Sequence, residues 1–287
     1  MTPGHPEART GTAPAASTSA DAPAVVLEHV SFAFDDHVVL RDVSFTVPKG
    51  SMTILLGASG AGKSILLKLI LGLLRPDAGA ISVYGQRIDR MPEVDLLHLR
   101  SDIGMAFQEN ALFDSLTVGE NVGFRLHDAA HASGEDEDAR VSEVLEFVGL
   151  GEYADRMPSE LSGGQRRRVG IARAMASKPS LLLFDDPTTG LDPVIASNVD
   201  DEIVKLRDLE QVTAVLVTHQ IRDAHYIATH AAVRDGGQIQ IREAAEERAR
   251  FLVLHDGRIY AEGTLAELRA SKDPYLQEFL FMTLPPW

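Results

Sequence analysis

The 287-residue chain has no cysteine, so neither a disulfide nor a thiolate metal site can exist in it. That absence suits a reducing cytosol. Cations are also scarce: 27 Lys and Arg stand against 42 Asp and Glu, for a formal charge of −15. Holding a nucleic-acid backbone draws on clustered Lys and Arg, so nucleic acid is not expected as a partner. The ten histidines show no repeated ligand spacing, which argues against structural zinc. No apolar run is long enough to span a bilayer. The longest candidate, from Ile65 to Leu74, is interrupted by Lys68 and reads as a buried helix. A signal-peptide core is missing too, because Pro6, Glu7 and Arg9 break the first stretch. Residues 1–22, rich in Ala, Thr, Pro, Ser and Gly, read as a disordered tail.

What is present is a hydrophobic content of 45%, enough for one large α/β domain with a satellite subdomain. Strand patterns run from Val25 to Phe34 and from Val43 to Val47, and a short apolar strand covers Met52 to Leu56. A helix is expected over Ser64–Leu74, stopped by the stretch Arg75 to Gly79, and a hairpin over Ile81–Ile88 around Tyr84-Gly85. After the acidic run Glu135 to Asp138, the residues Val141, Val144, Leu145 and Val148 recur at helical spacing. Residues 108–170 are therefore read as a mainly helical insert. The runs Leu181–Phe184 and Ala214–Val217 are wholly apolar, as in strands buried on both faces. Alternation of such strands with helices implies an α/β fold with a parallel, partly mixed sheet.

The segment Gly57-Ala58-Ser59-Gly60-Ala61-Gly62-Lys63-Ser64 fits a phosphate-binding loop between a strand and a helix. Its small residues let backbone N–H groups close around phosphate oxygens, and the helix N-terminus adds a positive dipole end. Lys63 would reach the β and γ oxygens, and Ser64 would ligate Mg²⁺. By itself the motif says only nucleoside triphosphate. Asp185, at the end of an apolar strand, is suited to hold Mg²⁺ through its water shell.

Leu161-Ser162-Gly163-Gly164-Gln165, followed by a helical stretch, resembles the signature of the ABC ATPase superfamily. That resemblance implies an ABC-type core with an antiparallel β subdomain, binding ATP and Mg²⁺. It implies that Ser162, Gly163, Gly164 and Gln165 close over ATP held by the phosphate loop, through Ile65, of a second copy. In the same family order, Phe34 corresponds to the aromatic residue on adenine. Gln108 corresponds to the Mg²⁺-sensing and water-sensing glutamine beside the permease dock. Asp192 belongs to the loop that crosses the dimer, and His219 corresponds to the γ-phosphate histidine. Residues 23–265 would form the ATPase domain and 266–287 a C-terminal helical extension.

One departure stands out. Where the family has Glu to polarise the attacking water, this chain has Asp186, one methylene shorter. Misplacement of about 1 Å can cost about 10²-fold in rate, so the chain is either a transport ATPase or an ATP-gated clamp with little hydrolysis. The consecutive Arg166, Arg167 and Arg168 are expected to pair with carboxylates.

The stretch from Phe107 to Val118, with Glu120-Asn121-Val122, resembles the ATPases of Mla-type, Mce-associated phospholipid transporters. Residues Met157 to Glu160 and Asp273 to Phe279 are similar to that branch as well. The resemblance implies an MlaE-like permease, an Mce-domain lipid-binding partner, a phospholipid or other hydrophobic cargo, and a peripheral position on the cytoplasmic face of the inner membrane. A non-lipid cargo is the alternative. After His219, two apolar segments each carry a Gly-containing turn. They are read as an added hairpin on the edge of the sheet with a charged connection, Glu243–Arg250.

Overall fold

The computed structural model describes residues 22–108, 111–126 and 134–281; most of the expected tail lies outside them. Strands β1 (Val25–Phe34) and β2 (His37–Val47) form an antiparallel pair, followed by β3 (Met52–Leu56) and helix α1 (Lys63–Ile70). Then come β4 (Ala78–Val83), β5 (Gln86–Arg87), α2 (Glu93–Ser101) and β6 (Ile103–Ala106). Helices α3 (Val118–Gly123), α4 (Gly134–Phe147) and α5 (Gly163–Met175) follow. Next in order are β7 (Leu181–Asp185), α6 (Pro193–Leu209), β8 (Thr213–Thr218) and α7 (Ile221–Thr229). Strands β9 (His230–Asp235), β10 (Gln238–Glu243), β11 (Arg250–His255) and β12 (Arg258–Gly263) precede helices α8 (Leu265–Ala270) and α9 (Pro274–Phe281). Among the described residues no helix is long and apolar enough to cross a membrane.

The fold is an α/β mixed sheet. Six strands run in the order β12-β11-β3-β8-β7-β6; only the outer β12 is antiparallel to its neighbour. A separate antiparallel sheet of four strands, β2-β1-β4-β5, covers one face. The central strands β3, β7 and β8 are buried at every residue. Alternation along them feeds two cores. Leu55, Leu183 and Val215 pack toward the antiparallel sheet, whereas Ile54, Phe184 and Leu216 pack toward the helices. Each face thus loses its apolar surface to water-free packing.

Three sequence expectations change in detail. The strand expected at Val43 begins at His37, because β2 pairs with β1 along its length. Helix α1 ends at Ile70, short of Leu74. Its end closes through Leu73 N–H to Lys68 O (2.9 Å) and Gly72 N–H to Leu69 O (3.0 Å), a Schellman closure that satisfies the last carbonyls. The added hairpin does form, through Gly236 and Gly237 at positive φ. It does not extend the main sheet, however. Strands β9 and β10 make a sheet of their own, packed on α6. The reason lies in the connection: Glu247 accepts from Leu265 N–H (2.6 Å) and Ala266 N–H (2.8 Å), and Arg248 reaches Asp208 (3.1 Å).

Candidate nucleotide site

All parallel strands of the six-stranded sheet point their carboxyl ends to one side, where ligands of open α/β sheets sit. The loop after β3, Asp185 at the end of β7 and His219 just after β8 meet there. A cleft of about 450 Å³ opens beside the loop and His219; Asp185, Gly57, Ala58 and Ala61 lie outside its lining. Ten of the sequence-predicted residues line it: Phe34, Ser59, Gly60, Gly62, Lys63, Ser64, Ile65, Gln108, Asp186 and His219. Val39 and Thr189 line it too; apolar strand and loop patterns gave no signal for either.

The loop from Gly57 to Gly62 turns tightly. Ala61 N–H bonds Ala58 O at 3.2 Å, and Gly62 caps α1 at φ 101°. A side chain there would meet Val39 Cγ1 at 2.9 Å, so only glycine fits. Lys63 is buried, and its Nζ donates to Gly57 O and Ala58 O at 3.0 Å each. Burial pulls the Lys63 ammonium below its usual range, while the carboxylates of Asp186 and Asp185 oppose that shift. Ammonium and carboxylates thus share one enclosed site, poised for a polyanion and its cation.

Ser64 Oγ donates to Asp185 Oδ1 at 2.7 Å. Burial raises the Asp185 carboxyl and the Ser64 hydrogen bond lowers it; the Asp186 charge adds to the rise. A hydroxyl and a carboxylate side by side form the hard oxygen set that Mg²⁺ takes, and the residues fit the ion. Asp186 sits in the left-handed region at φ 43°, a conformation Asp tolerates better than most residues. Its Oδ1 accepts from His219 N–H at 3.1 Å and lies 2.9 Å from His219 Nδ1.

Other named residues lie apart from the cleft. Ser162 caps α5 with a capping box, in which Gln165 N–H reaches Ser162 Oγ (3.3 Å) and Ser162 N–H reaches Gln165 Oε1 (2.8 Å). A methyl group on Gly164 would collide with Ile195 Cγ2 of α6, and Gly163 lies beside Leu191. Asp192 caps α6, accepting from Val194 and Ile195 N–H at 3.1 Å. Within one copy, then, the Ser162–Gln165 segment and Asp192 do not join the phosphate loop.

The arginine run departs from expectation. Arg166 donates to Leu161 O (2.6 Å), Arg168 to Val148 O (2.8 Å), and Arg167 to the carbonyls of Phe107, Gln108 and Thr189. Loops that cannot join a ladder leave carbonyls open, and planar guanidinium groups satisfy several of them at once. Arg167 thereby ties the loop bearing Gln108 to the loop after Asp186. No short-range pattern announces that role.

Comparison with known proteins fits this geometry. A family model described as "ABC transporter" matches residues 40–189. The methionine import ATP-binding protein MetN of Nocardia farcinica is 42% identical over 223 residues, 76% of this chain and 66% of that protein. MetN of Bifidobacterium longum is 42% identical over 69% of this chain and 49% of its own length. The sulfate/thiosulfate import ATP-binding protein CysA of Mycolicibacterium paratuberculosis is 41% identical over 72% and 56% respectively. This chain thus spans about half to two thirds of these relatives. A dimeric ATP-binding cassette solved in a post-hydrolysis state with ADP and Pi is 30% identical, with a TM-score of 0.71 over 84% of this chain and 98% of that one. With more than half of its length matched by the family model and nearly all of a solved cassette reproduced, the chain belongs to the ABC transporter family of ATP-binding cassettes.

Proposed function

We propose that the chain is the ATP-binding and hydrolysing subunit of an ABC transporter, acting as an ATP-sandwich dimer beneath a separate permease. The observation that carries this is the convergence of Phe34, the Gly57–Ser64 loop, Gln108, Asp186 and His219 on one cleft. Backbone N–H groups of the loop and Lys63 would hold the β and γ phosphates; Phe34, half exposed at the rim, would take the adenine. Ser64, Asp185 and Gln108 would hold Mg²⁺, which when bound neutralises phosphate charge. Asp186 would accept a proton from the attacking water, with His219 orienting its carboxylate. Ser162–Gln165 and Asp192, outside their own cleft, would complete that of the second copy.

The test is ATP turnover by the purified chain, alone and with its permease. Turnover that depends on Mg²⁺ and on Asp186 supports a motor; tight ATP binding without turnover in either setting would leave the ATP-gated clamp.

Cargo is a finer matter, because it never touches this subunit. The printed names of the relatives support import of a small solute such as methionine or sulfate. The segments Phe107 to Val122 and Asp273 to Phe279 support the phospholipid reading, with an MlaE-like permease and an Mce-domain partner. Both readings put the chain at the cytoplasmic face of the membrane. Vesicles holding the cassette and its permease, offered labelled methionine and labelled phospholipid in parallel, separate them: whichever label moves with ATP hydrolysis names the class.

A further inference from the structure

Helices α6 and α7 pack against each other. Asp192 caps the first, and His219 lies just ahead of Gln220, which caps the second. Beside the apolar residues they bury, polar ties join the two helices at several points. Arg222 of α7 donates to Ser197 Oγ at 3.3 Å, Tyr226 OH to Asp201 Oδ1 at 2.6 Å, and Arg207 to the carbonyls of Ile227 and His230. Between these ties lie Asp200 of α6 and Asp223 of α7, only 1% and 3% exposed. Asp200 Oδ1 and Asp223 Oδ2 are buried without a hydrogen-bond partner among the described residues.

Compensating charge is thin. Arg222 Nε stands 3.9 Å from Asp223 Oδ1, and its side chain is half exposed. It also acts on Asp200, while Asp223 and Asp201 add negative field there. Other elements against α6 aim elsewhere: Arg168 of α5 acts on Glu202, and Ala232 N–H of β9 donates to Asp208.

We propose that Asp200 and Asp223 act together as a positioning pair, holding the helix capped by Asp192 against the helix that follows His219. The proposal rests on the ATPase reading of the cleft. Two buried carboxylates with so little cation between them cannot both stay ionised cheaply. One proton retained by the pair removes one of the two charges and gives a buried carboxyl a donor of its own. Burial first, and the Asp223 charge next, push the Asp200 carboxyl up to about 9. The proton therefore stays at neutral pH. Its loss puts two negative charges in the seam, parts α6 from α7, and shifts Asp192 relative to His219.

The sign follows from linkage. The folded pair keeps a proton that an unfolded Asp releases near its ordinary 3.8, so the stability it confers falls as pH rises toward about 9. Asp200→Asn keeps the shape and a donor but has no proton to lose. Its melting temperature is expected to gain steadily on that of the unmodified chain between about pH 5 and about pH 9; parallel curves would overturn the pair. In ATP turnover, the unmodified chain is expected to lose at least about tenfold in kcat between about pH 8 and about pH 10, at constant KM, while Asp200→Asn loses none of it. An equal alkaline loss in that variant overturns the proposal. Asp200→Leu fills the space without a donor and is expected to lose kcat at neutral pH where Asn retains it. A Leu variant as active as Asn reduces the site to packing and overturns it as well. Absence of turnover in every protein would sink the ATPase reading, whereas the melting series decides the pair by itself.

Discussion

At the residue scale, the cleft concentrates its chemistry in two side chains. Lys63 is buried and acts on both carboxylates at the phosphate loop, Asp185 and Asp186, and backbone amides alone carry no full charge. Lys63→Ala is expected to abolish the rise in melting temperature that Mg-ATP gives the unmodified chain, a result read directly by thermal shift. Asp186 is the second. Its carboxylate is already fixed by His219, and general-base assistance is worth about 10²–10⁴-fold. Asp186→Asn should lower kcat by about that factor while ATP binding, followed by a fluorescent analogue, stays unchanged; hydrolysis at the original rate would remove Asp186 from the mechanism. Both residues were legible in the sequence because their motifs are local. The left-handed backbone of Asp186 was not, since the following Pro187 biases it toward extended φ; its N–H bonds Val217 O (2.9 Å) across the sheet.

At the scale of elements, the parallel strands were readable from their unbroken apolar runs, α1 from the glycine loop ahead of it, and α5 from the helical stretch after Gln165. What was hidden is how helices meet. Gly164 was read in sequence as part of the signature that closes over ATP, yet it also lies where α5 touches Ile195 on the first turn of α6. Gly164→Val is therefore expected to force these helices apart, with a loss of about 1–3 kcal/mol in unfolding free energy by denaturant titration. A neutral outcome would show that the α5–α6 contact yields freely. The arginine anchors share this illegibility: a guanidinium that seeks carbonyls is indistinguishable in sequence from one that seeks carboxylates. Likewise, the paired Gly236 and Gly237 announced a hairpin, but only the ties of Glu247 and Arg248 decide that it rests on α6 rather than beside the main sheet.

At the scale of the whole molecule, five of the named ATP contacts, Ser162–Gln165 and Asp192, lie outside the cleft of their own chain, and a second copy would bring them in. Ser162→Arg places a long cation at the cap of α5, where a partner's nucleotide would approach. In an Asp186→Asn background, which traps ATP, that change is expected to leave nucleotide binding intact and to eliminate the ATP-dependent dimer on size-exclusion chromatography. Dimers of undiminished yield would defeat the sandwich arrangement.

The outboard ribbon of β9 and β10 has a practical consequence, because it hangs on a chain without a native thiol. Gln238, exposed at the start of β10, can be replaced by Cys to give the molecule a single attachment point for a nitroxide. The probe would stand away from the nucleotide, on a ribbon packed against the helix that Asp192 caps. Pulsed electron resonance between two such labels would then record, as a distance in frozen solution, each opening and closing of the paired cassettes.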